Sequence, residues 1–100
     1  MNVRITVVKR SLNSDLIETY FPERAGKITP CSRYQDGQVF EVKGPLPEKP
    51  AGLCDWAWVD IHQIVAMACI SGQPPAGLAF PCCTDGLRPV TFHVESVKDE

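Results

Sequence analysis

The stretch Asp55-Trp56-Ala57-Trp58-Val59-Asp60-Ile61-His62-Gln63-Ile64-Val65-Ala66-Met67-Ala68-Cys69-Ile70 decides the fold. Ala57, Ile61, Ile64, Val65 and Ala68 recur at helical spacing, which predicts one long helix from about Trp56 to Ile70. Cys54 or Asp55 starts it, and Gly72 followed by Pro74-Pro75 ends it. Trp56, Trp58 and Met67 widen the apolar stripe, and Cys69 is simplest as core. A helix this apolar needs cover over most of its surface, so it is expected across the face of a sheet.

Working outward, Gly44 to Gly52 has prolines at 45, 47 and 50 and reads as a stiff surface loop. Before it, Asp36-Gly37 turns into a strand over Gln38 to Lys43. At the start of the chain, Val3 to Lys9 alternates in the manner of a strand, with Val3, Ile5 and Val7 on one side. Asn13 or Ser14 caps a short helix from Asp15 to about Tyr20, stopped by Pro22. Residues 23–36 are polar and irregular. After the long helix, Leu78 to Thr84 and Leu87 to Val97 read as a hairpin joined by Asp85-Gly86. Pro81 and Pro89 restrict the pairing near them to an edge or to non-bonded positions, and Val90, Phe92 and Val94 face the core. The order β-α-β-α-β-β predicts an α+β domain over residues 1–100. It has a mostly antiparallel four-stranded sheet, one long helix on a face and one short helix.

Composition narrows the class. At 100 residues, with 44% hydrophobic and 22% charged side chains, the chain is sized and composed for a single core, unlike a disordered tail, a collagen repeat or a coiled coil. The formal net charge of −2 gives no footprint for nucleic acid or an anionic membrane. Lys9, Arg10, Arg24, Lys27 and Arg33 are dispersed and not interleaved with aromatics. The apolar stretch after Ile64 is broken by Ser71-Gly72 and Pro74-Pro75 and cannot span a bilayer as one helix. The first ten residues hold no signal-peptide core. Five cysteines, an odd number, fit a cytoplasmic protein with reduced thiols. Phosphate-loop, hydrolase-elbow, zincin and EF-hand signatures are missing, and the sequence points to no identified cofactor. It leaves a homo-oligomer open.

Three stretches carry a resemblance. They are Val3-Arg4-Ile5-Thr6-Val7-Val8-Lys9, Gly52 to Ile61 with Cys54-Asp55-Trp56-Ala57-Trp58, and Cys82-Cys83-Thr84-Asp85-Gly86-Leu87-Arg88-Pro89-Val90-Thr91-Phe92. Together they resemble a family of small, uncharacterised prokaryotic proteins of about this length, whose members show C-P-W-A-W at the second stretch. Here Asp55 replaces that proline, and Ser32 replaces the proline that follows Cys31. The resemblance implies the domain boundaries and the choice of cysteines, and it supplies no mechanism.

The chemistry is expected at the thiols. Cys54 lies at the start of the long helix, where unpaired N–H groups and the helix dipole favour a thiolate, although Asp55 competes for the same positive end. With a two-residue Asp85-Gly86 turn, Cys83 stands opposite Arg88, and a guanidinium beside a thiol makes a forked site for an anion. The plainer alternative is that Cys54 simply packs and that Arg88 pairs with Asp60 or Asp85 to close the hairpin. Adjacent Cys82 and Cys83 point to opposite faces, so only one joins Cys31 and Cys54.

The expected pocket therefore has Cys54, Cys83 and Arg88 as reacting groups. Cys31, Trp58, Asp60, His62 and Asp85 are its ligand-binding residues. It would bind or react with a small anionic or electrophilic molecule. Two other readings stand beside it. One is an accessory or assembly module whose cysteines only pack. The other is a zinc or iron protein built on Cys31, Cys54 and Cys83 or Cys82 with Asp60 or His62, although no C-x-x-C knuckle supports it. His62 could act as a base or ligand, and is otherwise a partly exposed surface residue.

Overall fold

The computed structural model describes residues 1–98. Its elements are β1 (Asn2–Arg10), α1 (Ser14–Tyr20), β2 (Val39–Val42), α2 (Asp55–Ser71) and β3 (Val90–Val97). Single 3-10 turns lie at Pro22–Arg24 and Ala76–Leu78. The α+β class stands, while the sheet has three strands in the order β2-β1-β3, both pairs antiparallel.

β1 takes the centre because its alternate residues Val3, Ile5 and Val7 are all fully buried. Ile5 lies between Phe40 on one side and Val94 on the other, and Val7 opposes Phe92. A bulge between Val7 and Lys9 leaves Val8 exposed and lets the strand run on to pair Arg10 with Val90. The opposite face is polar. There Arg4 reaches Glu41 at 3.3 Å and Glu95 at 4.0 Å, contacts in water that add little to stability.

α2 covers the apolar face. Ala57, Ile61, Val65, Ala68 and Cys69 are buried against the sheet residues Val3, Ile5, Val42, Phe92 and Val94 in one core cluster. Ile64, on the flank of the stripe, is only partly buried. Gly72 ends the helix at φ 91°, a left-handed backbone that favours glycine.

The expected fourth strand is absent among the described residues. Ala76–Leu78 is a 3-10 turn, and only Cys82 forms a bridge, to Thr91. Residues 79–83 still run beside β3, since Phe92 N–H bonds the Pro81 carbonyl and Val94 N–H the Ala79 carbonyl. Ala79 sits in helical backbone and Pro81 has no N–H to give, so the segment cannot make a regular ladder. The hairpin register also differs. Cys82 opposes Thr91 and Cys83 bonds Val90, so the connection is the longer loop 84–89 instead of a two-residue turn.

That loop is tied to the start of α1. Ser11 N–H bonds the Pro89 carbonyl, Asn13 N–H bonds the Leu87 carbonyl, and the Asn13 side-chain amide donates to Gly86 at 2.6 Å. Asn13 therefore precedes α1 without capping it by its side chain.

Candidate functional site

An open hollow of about 740 Å³ lies where three pieces meet: the loop around Cys31–Tyr34, the first turn of α2, and the loop 84–89. Cys31, Cys54 and Cys83 all line it, together with Arg33, Tyr34, Trp56, Asp85 and Arg88. Cysteines from three distant segments thus line one hollow together with two arginines.

Each piece is held by identifiable bonds. Cys54 precedes the first turn of α2 in extended backbone and donates its N–H to the Tyr34 hydroxyl at 2.9 Å. Tyr34 is itself buried, edge-on to Phe40 at 5.9 Å and Phe92 at 5.6 Å, and so links the helix start to the sheet. Burial is the main cause that pushes the Tyr34 phenol above its ordinary value, outweighing the Cys54 N–H bond, so the hydroxyl stays protonated at neutral pH. Arg10 fixes the approach of the first loop. Its Nη1 donates to the Cys31 carbonyl and its Nε to Asp36, both at 2.9 Å.

Cys83 is oriented by Val90. Its N–H donates to the Val90 carbonyl, and the Val90 N–H donates to the Cys83 sulfur at 3.3 Å. The longer loop removes the direct Cys83–Arg88 pairing, yet both side chains still line the hollow.

Asp85 folds the loop around itself. One carboxylate oxygen accepts the N–H groups of Leu87 and Arg88 at 3.0 and 3.1 Å, and the other accepts Arg88 Nε at 3.2 Å. Burial raises the Asp85 carboxyl. The Arg88 and Leu87 N–H bonds and the Arg88 guanidinium together outweigh it and hold the group below its ordinary value. Arg88 therefore does close the loop, as the plainer alternative has it. That bond occupies Nε, and among the described residues its terminal nitrogens make no protein hydrogen bond.

Trp58, Asp60 and His62 do not line the hollow. Each helical residue advances about 1.5 Å and 100°, which carries these three along and around α2 from the site. Trp58 is half-buried and packs edge-on to His62 with centroids 5.1 Å apart, while Asp60 and His62 are exposed. The tryptophan at the site is Trp56. Cys82 is exposed beside the hollow, and Cys69 is core. Among the described residues no group of three His, Cys, Asp or Glu side chains could hold a metal ion, so the metal reading finds no ligand set.

The sequence does not mark Arg33 or Tyr34 as site residues, and of the two tryptophans that could wall a pocket the structure places Trp56 there instead of the expected Trp58. Residues 23–36 have no periodicity to read, although Tyr34, the one aromatic residue between 23 and 38, was a usable signal. Compared with family models, curated proteins and solved structures, the chain matches none. No helix among the described residues is long and apolar enough to cross a membrane.

Proposed function

We propose that this hollow binds a small anionic or electrophilic molecule and that Cys54 and Cys83 are the groups placed to react with it. The observation that carries the reading is the convergence of three thiols with Arg33 and Arg88 around one open cavity. Its volume suits a small molecule. Trp56 and Tyr34 supply flat apolar wall, and the guanidiniums supply paired donors for a carboxylate or phosphate. The first turn of α2 adds its unpaired N–H groups, which favour negative charge beside Cys54. Toward an electron-poor double bond, the sulfur would form the new bond to carbon, and the thiol proton would end on the neighbouring carbon.

Iodoacetamide labelling at neutral pH, read by peptide mass spectrometry, tests this. Cys54 and Cys83 are expected to label faster than exposed Cys82, and buried Cys69 is expected to stay unlabelled until the chain is denatured. Rates at Cys54 and Cys83 no greater than at Cys82 would remove thiol chemistry from the reading.

A second reading, an assembly module, is favoured by one observation. Trp56, Val59 and Ile70 share the outward side of α2 and are 75%, 75% and 71% exposed. Large apolar side chains grouped on a surface mark contact sites more often than scattered ones do.

A further inference from the structure

Beside the thiol-lined hollow lies a second one of about 430 Å³, lined by Arg24, Lys27, Thr29 and Leu87 among others. The two share a wall, Asp85 and Arg88, which line both. The charged residues around the pair are therefore Arg24, Lys27, Arg33 and Arg88 against Asp85 alone. This is the reverse of the whole chain, whose formal net charge is −2. The one carboxylate is already engaged by three donors within its own loop. Among the described residues Arg24, Lys27 and Arg33 form no ion pair. The Arg24 guanidinium lies over the Phe21 ring at 5.6 Å, a contact that positions it without neutralising it.

We infer that the two hollows form one bipartite site for a small phosphate ester. Its phosphoryl group lies with Arg24, Lys27 and Arg88, and its organic part lies in the thiol-lined hollow against Trp56 and Tyr34. This rests on the pocket reading above and adds the ligand class. Four cations against one spent carboxylate exceed what a single carboxylate ligand needs. A phosphate monoester brings a charge of about −1.5 to −2 and three acceptor oxygens. Arginine forks match phosphate oxygens in pairs, and Thr29 offers a hydroxyl at the same hollow. The shared Arg88 makes the two regions one site.

Phenyl phosphate is the probe, with benzoate and inorganic phosphate as comparisons, measured by titration calorimetry. Phenyl phosphate is expected to bind more tightly than either comparison and to slow iodoacetamide labelling of Cys54 and Cys83. The double variant Arg24→Gln/Lys27→Gln should weaken it about tenfold or more, the scale of losing charge-assisted hydrogen bonds. Lys43→Gln, which removes a charge outside both hollows, should leave binding unchanged. No binding at millimolar phenyl phosphate, equal binding of benzoate, or indifference to the double variant would each overturn the inference. Pelleting with phosphatidylserine vesicles in the absence of phenyl phosphate binding would overturn it too. Fast labelling of Cys54 and Cys83 without phenyl phosphate binding would sink the phosphate site alone. In a protein that does bind phenyl phosphate, labelling of Cys54 and Cys83 no faster than at Cys82 when the ligand is left out would sink the thiol chemistry alone.

Discussion

Asp85 accepts from two backbone N–H groups and one guanidinium, so its ionised form is what the folded loop requires. Its carboxyl is held below the ordinary value of 3.8 in the fold, and the unfolded chain therefore takes up the proton more readily. The stability it adds is complete above the unfolded-state value and is lost as the pH falls through the folded one. Asp85→Asn should therefore be less stable than the wild type at neutral pH. The gap should narrow as the pH is lowered from neutral to below the ordinary carboxyl value of 3.8, as the wild-type carboxyl also takes up its proton. Urea denaturation across that range checks it; a gap that widened on acidification would contradict the assignment. The residue was readable as a turn former from Asp85-Gly86, but its partners were not. A dipeptide signals a turn without stating its length, and the observed loop runs on to residue 89.

At the scale of elements, the two faces of α2 should respond very differently to truncation. Ile61 is fully buried under the sheet, and Ile61→Ala leaves a cavity the core cannot fill, for a loss of about 2–5 kcal/mol. Val59 is 75% exposed, and Val59→Ala should stay within about 0.5 kcal/mol. Denaturant midpoints at unchanged slope measure both, and comparable losses would mean that the helix packs differently. The helix was legible because its apolar spacing repeats from Ala57 to Ala68, about three turns. β1 was legible because Val3, Ile5 and Val7 alternate. The Leu78–Thr84 segment was misread because Ala79, Phe80 and the two cysteines are apolar enough for a strand. The 3-10 turn at Ala76–Leu78 and the missing N–H of Pro81 reduce it to one bridge.

For the whole molecule, the outward stripe of Trp56, Val59 and Ile70 separates the two functional readings. If the protein works through its pocket, sedimentation equilibrium of the wild type and of Val59→Glu should give the same mass. A wild-type mass above 11.0 kDa that falls to that value only in the variant would favour assembly through α2. Charge is distributed on the same scale. Arg24, Lys27 and Arg33 look dispersed along the chain, yet folding brings them around two adjoining hollows with Arg88.

The sequence by itself determined the helix α2, the strands β1, β2 and β3, and the core positions Val3, Ile5, Val7, Ala57, Ile61, Val65, Ala68, Val90, Phe92 and Val94. These follow from local periodicities of about 3.6 and 2 residues, which any short window contains. It also singled out Cys31, Cys54, Cys83 and Arg88. Only the tertiary structure decided that they share a cavity, that Trp56 and not Trp58 stands there, and that basic residues gather next to it. Those facts depend on bonds between residues far apart in the chain, such as Cys54 N–H to Tyr34 and Asn13 to Gly86. A loop without periodicity takes its place from such bonds alone, and no local pattern records which partner it will find.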